Sequence, residues 1–543
     1  MSRNAVKSAS NDFSKVVHAD IPRSIFNRPS TLVTTFDAGY LVPVFIDEIL
    51  PGDTLKMSLQ YVLRLITPLV PVMDNIDLEF FAFFVPNRIV WTNWQKLQGE
   101  NQTSAWTPAS PPTGVPMYGL GGSVLCAELK LGDYYGLPVG MDFQYHAVND
   151  LPFRGYWKIW NDWFRNQNIQ APVTVLTGDS ALSSTLGVNG TLAKVNKPFD
   201  YFTSCLPAPQ KGDSQLIPIE LNELIPVITT TDEHWLGGPS LLWRKTAGVA
   251  ADNNKSIHTN LGGTYQNDTA PGANPEAIHP SNLWVDGDGI VVNGTTISDL
   301  RTAFQIQKLY ERDARGGTRY VEMLKSHFGV DAGDYRLQRP EFLGHCRSMV
   351  NINQVEQTGE TGTTPQGNVA AYGHSQGNDF LFNKSFVEHG FLHIFAVARH
   401  KKTYQQGLER FWSRQDRLDY YLPVLAHISE QPVYTKEIYA LANNSTDVFG
   451  YQEAWSDYRY KPNRVTAQMR QDATIHFEMW HFADRYASAP TLVDAWMQDN
   501  SNTNLQRILA VAIGHQIKLN VRFDLEATRP IPVNSIPGMI DHF

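Results

Sequence analysis

Cysteine is nearly missing from this chain. Only Cys126, Cys205 and Cys346 occur in 543 residues, far apart, odd in number and without a C-x-x-C pair. That pattern argues against a disulfide framework and a thiolate zinc site, and it fits reduced thiols. Charge is scarce as well: Asp, Glu, Lys and Arg make up 18% of the chain, below the ~25% of an ordinary soluble protein. With 42% hydrophobic residues, a chain disordered throughout is excluded. The longest apolar runs, such as Phe80–Val85, fall far short of the ~18 residues of a membrane span. The start, MSRNAVKSASND, has no apolar signal core. These features predict a soluble chain with no membrane insertion and no secretion signal.

Catalytic and metal signatures are weak. No G-x-x-x-x-G-K-[ST] phosphate loop occurs. His389 and His393 form H-x-x-x-H, which holds zinc only on a helix; the alternation around them reads as strand, so packing histidines are expected. Asp286-Gly287-Asp288-Gly289 lacks the rest of a calcium loop and reads as a hairpin turn. Carboxylates are plentiful but none has a diagnostic setting. The expectation is a non-enzyme with no catalytic residue, no metal and no cofactor.

Aromatic side chains, by contrast, are abundant, with 13 Trp and 22 Tyr. They suit either interfaces or a large core. The net charge is −9, where a nucleic-acid-binding protein is usually basic. That charge is uneven: Lys211–Leu300 holds 11 acids against 4 bases. The first 30 residues carry Arg3, Lys7, Lys15, Arg23 and Arg28 against Asp12 and Asp20. Residues 1–25 therefore read as a mildly basic arm.

Strand-like runs follow at Tyr40–Leu50, Thr54–Ile66 and Ile76–Val85, and again at Phe386–Arg399, Thr474–Trp480 and Arg507–Phe523. Between them lie short helices, the clearest at Asp150–Asn168 with Pro152 in its first turn. Residues 215–296 are rich in Gly, Asn, Thr, Asp and Pro and are too long for a structureless loop, which predicts an excursion with some β structure of its own. An amphipathic helix is expected over Arg301–Tyr320, ending at Gly316-Gly317, with a short second helix after it. The fold class that fits is mainly β: an antiparallel eight-stranded jelly-roll sandwich with long helix- and loop-containing insertions.

One charge cluster stands out. Arg399, Lys401, Lys402, Arg410, Arg414 and Arg417 are interleaved with Tyr404, Phe411 and Trp412. Bases can track phosphates while aromatic faces stack unpaired nucleobases. A subunit interface, which also favours Arg and Trp, is the stronger reading of the same residues. Arg3 and Lys7 of the arm are a second candidate for nucleic acid, and Arg459 and Lys461, among Trp455, Tyr458 and Tyr460, a third.

Several blocks together carry a family resemblance. They are DEILPGDT (Asp47–Thr54), PVMDN (Pro71–Asn75), FFVPNR (Phe83–Arg88), DLPFRGYWKIWNDWFRNQN (Asp150–Asn168), YFTSCLPAPQKG (Tyr201–Gly212), RTAFQIQKLYERDARGGTRY (Arg301–Tyr320), TYQQGLERFWSRQDR (Thr403–Arg417) and FGYQEAWSDYRYKP (Phe449–Pro462). In this order they resemble the major capsid protein of gokushoviruses, single-stranded DNA bacteriophages of the Microviridae. The resemblance implies a viral-capsid jelly roll over residues 26–543 that self-assembles into a T=1 icosahedral shell around circular single-stranded DNA. It implies assembly in the bacterial host cytoplasm and a place in the virion. Implied partners are further copies of the chain, an internal scaffolding protein, a DNA pilot protein, a small basic DNA-associated protein and a host surface receptor. It also implies that 215–296 is a protrusion at the three-fold axis used in host attachment, with Trp235, Asp252, Tyr265, Asp268, Trp284, Asp286 and Asp288 as candidates. The Arg301–Tyr320 helix would then root the protrusion in the shell. From composition alone, a β-sandwich carbohydrate-binding or glycan-hydrolysing protein is the alternative.

Overall fold

The computed structural model describes residues 22–100, 114–119, 123–212, 297–317, 319–330, 337–442, 446–511 and 514–534, and within 213–296 only short strands. Arg3 and Lys7 lie outside the described residues, as does the Asp286–Gly289 turn. Nine strands carry the architecture: β1 (Ser24–Asn27), β2 (Ser30–Phe36), β3 (Val42–Ile49), β4 (Thr54–Leu65), β5 (Ile76–Pro86), β6 (Glu341–Glu356), β7 (Val369–Ser385), β8 (Gly390–His400) and β9 (Ile517–Arg529). They are hydrogen-bonded in the order β1-β9-β4-β7-β6-β5-β8-β3, with β2 also on β9.

This path folds back on itself at one hairpin. The first part of β6, up to Val350, pairs with β5, while Asn351–Glu356 pair with the start of β7. From His374 onward β7 pairs with β4 instead. Two antiparallel sheets result, β2-β9-β4-β7 and β3-β8-β5-β6, joined at the β6–β7 seam. Eight strands in this order make the jelly roll expected from the sequence, and β1 is an extra strand on β9.

The sheets differ in how their residues are patterned. In β4, Leu55, Met57, Leu59, Tyr61 and Leu63 are buried, while Lys56, Gln60, Val62 and Arg64 are exposed. A period of two buries one face and wets the other. Leu519, Val521, Phe523 and Leu525 of β9 join that inner face and meet Ile76, Leu78, Phe80 and Phe84 of β5 with Leu392 and Ile394 of β8. β5 does not alternate, because its other face is covered too. There Phe83, Val85, Phe395 and Val397 form a second cluster with Phe153, Tyr156 and Trp157 of α1 (Leu151–Ile159).

α1 is stitched down by buried polar groups. Arg154 is fully buried and donates from Nε to Asp150 Oδ2 at 2.8 Å, and from its other nitrogens to the carbonyls of Gly178 (2.8 Å) and Ser180 (2.6 Å). Tyr156 Oη donates to Leu41 O at 2.9 Å and accepts from Ala193 N at 2.8 Å. These bonds satisfy groups that would be costly to bury bare.

Three expected strands are corrected. Thr474–Trp480 is a turn and a short 3-10 segment, because among the described residues no strand lies beside its alternating side chains: Ile475 and Phe477 are exposed, and Phe477 N donates to Gln468 O. The last strand begins at Ile517, not Arg507, after a break at Gly514 with φ +92°. The third begins at Gly390 rather than Phe386. The long hairpin strands β6 and β7 were not anticipated.

The chain divides into two compact units, Gly212–Arg312 and the remainder. The smaller contains a four-stranded sheet in the order Trp243–Lys245, Glu276–Pro280, Tyr265–Asn267, Ile257–Thr259, with two further strand pairs. Of the attachment candidates, Tyr265 and Trp284 lie in strands; Trp235, Asp252, Asp268, Asp286 and Asp288 lie outside the described residues. α2 (Ile297–Gly316) and α3 (Tyr320–Phe328) form as expected around Gly317, whose φ is +90°. The last turn of α2 is fixed by Arg315 on Glu430 and by Asp313 facing His327 Nε2 at 2.6 Å. Phe304 and Leu309 of α2 are exposed.

Candidate nucleic-acid interface

The basic cluster at 399–417 divides by environment. Arg399, at the end of β8, is held by Glu79 Oε2 at 2.7 Å and donates to Asn196 O. Burial works against the charge of Glu79, yet its hydrogen bonds and charge contacts with His345 and Arg399 keep its carboxyl below the usual range. Lys402 is buried: its Nζ donates to Asn500 Oδ1 at 2.6 Å and lies 3.4 Å from Asp499 Oδ2. Lys197 and Asp484 complete this enclosed charge group at 3.7 Å. Burial raises the Asp484 carboxyl, but Lys402 and Lys197 outweigh it and bring the pKa down to about 2. Lys402 is therefore an internal strut, removed from any ligand.

Arg410 and Arg414 sit in a basin of about 860 Å³ walled by Tyr201, Glu437, Trp412, Tyr458 and Tyr460. Arg410 lies 3.9 Å from Glu437 Oε1. Burial pushes the Glu437 carboxyl up, against the pull of Arg410 and a hydrogen bond from Tyr201 Oη. Arg414 pairs with Asp457 and stacks 4.3 Å from the Tyr458 ring. Lys461 donates to Glu409 Oε2 at 2.6 Å, and Arg464 shares that carboxylate. The two basic groups identified separately in the sequence thus meet in one place. Tyr201 and Tyr460 stack at 5.1 Å and 7°; Tyr201 and Glu437 were not anticipated, since each comes from a distant segment.

Almost every cation here already has a carboxylate. Taking one away for a phosphate would leave a partly buried carboxylate unpaired, which costs several kcal/mol. Lys401 and Arg417 are the exposed exceptions among the described candidates, and neither has an ion pair among the described residues. Around Arg417 the surface is apolar. Phe411, Trp412, Leu418, Tyr420, Tyr421, Val424 and Ile428 are all exposed, Val424 at 92%. Trp455 Nε1 donates to Leu425 O at 2.8 Å and fixes the base of this loop. A fixed apolar surface of this kind marks contact with another protein.

One stretch matches the nucleophile-elbow pattern G-x-S-x-G: Gly373-His374-Ser375-Gln376-Gly377. It lies within β7 and not on a strand-to-helix turn. Ser375 is buried, and its Oγ is 2.8 Å from Ser348 Oγ. It is a packing serine between strands. His393 is likewise enclosed, with Tyr135 Oη 3.0 Å from its Nδ1. Among the described residues no group of His, Cys, Asp and Glu is placed to hold a metal ion.

Comparison with known proteins decides the family. The profile of the Capsid protein (F protein) family matches residues 14–539. The chain belongs to this capsid protein family. It is 38% identical to Capsid protein VP1 of Chlamydia phage 1 over 588 residues, covering 97% of this chain and 98% of that one. It is 39% identical to Capsid protein VP1 of Spiroplasma virus 4, with 97% of each chain covered. For Capsid protein VP1 of Bdellovibrio phage phiMH2K the identity is 37%, with 98% of each covered. The gokushovirus resemblance therefore holds across nearly the whole length. As a capsid protein the chain has a structural role in the virion, not an enzymatic one, and the glycan-hydrolysing alternative falls away. No helix among the described residues is long and apolar enough to cross a membrane.

Proposed function

We propose that this capsid protein assembles into a T=1 icosahedral shell around circular single-stranded DNA, and that its smaller unit is the part used in host attachment. The observation that carries self-association is the fixed apolar surface from Phe411 to Ile428, left open in the single chain. Different surfaces must meet around five-, three- and two-fold axes, and head-to-tail contacts of this kind close into rings. At the 399–417 cluster, the paired cations, with Trp412 and Arg417 on the apolar surface, support a subunit contact, and Lys401 is left for nucleic acid. Arg3 and Lys7 keep the same assignment. An internal scaffolding protein, a DNA pilot protein, a small basic DNA-associated protein and a host receptor follow as partners from the gokushovirus resemblance.

Sizing the purified protein tests assembly: a megadalton particle is expected, and a stable monomer would refute it. Deleting Ala247–Asn282 tests attachment. Shells should still form while binding to cells falls, and loss of the shells would sink the assignment.

A further inference from the structure

The outer face of the β2-β9-β4-β7 sheet carries a charge pattern that no hydrophobic core explains. Cross-strand register places Thr35, Lys518, Arg64, His374 and Asn351 in one row across five strands. All five belong to the outward set of their strands, and Lys518 and Arg64 are exposed. Neighbouring strands are ~4.8 Å apart, so the cations Lys518 and Arg64 stand side by side, with the His374 imidazole next to Arg64 and its Nδ1 3.2 Å from Asn353 Nδ2. Like charges directly opposite one another destabilise a sheet. Neither Lys518 nor Arg64 has a carboxylate partner among the described residues.

The next rows do not relieve the repulsion. Val33, Asn520, Val62 and Gln376 follow, then Thr31, Arg522, Gln60 and Asn378. These rows contain amides and hydroxyls but no acid. At the far end stand Asp524, which Arg522 meets at 2.9 Å, and Glu526 beside Lys56, and just past Thr35 on the near side Asp37 is taken up by His515 Nδ1 at 3.2 Å. On the other side of the row, Tyr372 stacks against His374 at 5.5 Å and 25°, with its ring half exposed. Cations in a line, hydrogen-bonding amides and an exposed aromatic face are what an unpaired nucleic acid strand requires.

We infer that the Lys518–Arg64–His374 row binds the phosphodiester backbone of single-stranded nucleic acid, with Tyr372 as a stacking platform for a base. This deepens the genome-enclosing reading and rests on it. The site is separate from the 399–417 cluster, whose cations are largely neutralised at home.

The test uses the full chain and a short oligothymidylate, with binding followed by fluorescence anisotropy over a salt series. Lys518→Gln with Arg64→Gln changes only exposed positions. It should weaken binding and flatten the plot of log affinity against log salt by about 1.4, at ~0.7 per phosphate contact for single strands. Tyr372→Ala should weaken binding without changing that slope. Glu526→Gln, at the acidic end, should leave binding intact. An unchanged slope in the double variant would overturn the site while wild-type shells still uphold the capsid reading. Failure of the wild-type chain to form shells would instead remove the genome-enclosing reading. Loss of shells in the double variant with its oligonucleotide slope unchanged would assign the row to a second copy and overturn the inference.

Discussion

The centre of the β3-β8-β5-β6 sheet, strands β5 and β8, is covered on both faces, whereas the β2-β9-β4-β7 sheet is covered on one. Phe83 and Phe395 point away from the sandwich core yet are as buried as Phe80 and Phe84 within it. The equivalent positions on the other sheet are Gln60, Val62, Asn520 and Arg522, all exposed. The difference is where the insertions went. The 87–200 segment folds onto one sheet and turns it into a middle layer, leaving the other free to face a partner.

Acid should separate the two most sharply. His393 of β8 is pushed by burial from its ordinary 6.5 to about 3, and His400 to about 4, also mainly by burial. Between those folded values and pH 6.5 both are neutral in the fold and charged in the unfolded chain. Stability from this source is complete above pH 6.5 and falls as pH drops towards these folded values. For His393 the loss is on the order of 5 kcal/mol, at ~1.4 per unit. Asp484 adds a later loss, since its folded pKa of about 2 lies below the ordinary 3.8. His393→Gln should flatten the pH 6.5-to-4 limb of a chemical-denaturation series; an unchanged limb would refute its role.

Core truncation should give the next largest contrast. Phe395→Ala on the covered sheet should cost ~3–5 kcal/mol. Asp150→Ala should cost about as much, because it strands the buried Arg154 charge. Both are read from denaturant midpoints. A smaller effect tests the seam side of the open sheet. A Cβ added at Gly377 would lie 2.3 Å from Tyr61 Oη, which already donates to Asp379 Oδ2 at 2.8 Å. Gly377→Ala should therefore cost ~1–3 kcal/mol by overpacking. Smallest of all, Val62→Ser on the open face should stay within ~0.5 kcal/mol. A larger loss there would mean that this face is not free in the isolated chain.

The same contrast explains what could be read in advance. β4 announces itself by alternation and β5 by an unbroken apolar run, each the mark of its own environment. β6 and β7 announce little. β6 mixes Gly344, Cys346, Arg347 and Asn351, with a bulge between Phe342 and Gly344. β7 carries Gly373 and Gly377, where a Cβ would strike Leu65 and Tyr61. Close approach at the seam demands glycine, and glycine erases the strand signal. Thr474–Trp480 shows the reverse error: alternation without a neighbour to pair with. At the basic cluster, composition picked out a run of cations but could not show that Lys402 points inward. The pairing of Arg410 with Glu437 and of Arg414 with Asp457 depends on contacts more than 25 residues apart in sequence.

The β6–β7 hairpin has a mechanical consequence. In a sandwich held only by side chains, one sheet can slide over the other once the core softens. Here a single ladder of backbone bonds runs from β2 through the seam to β3. A sideways pull from a neighbouring copy on either sheet is passed on as tension along that ladder and shared by many amide groups at once. The subunit is built less like two plates in a stack than like one strap folded over its own buckle.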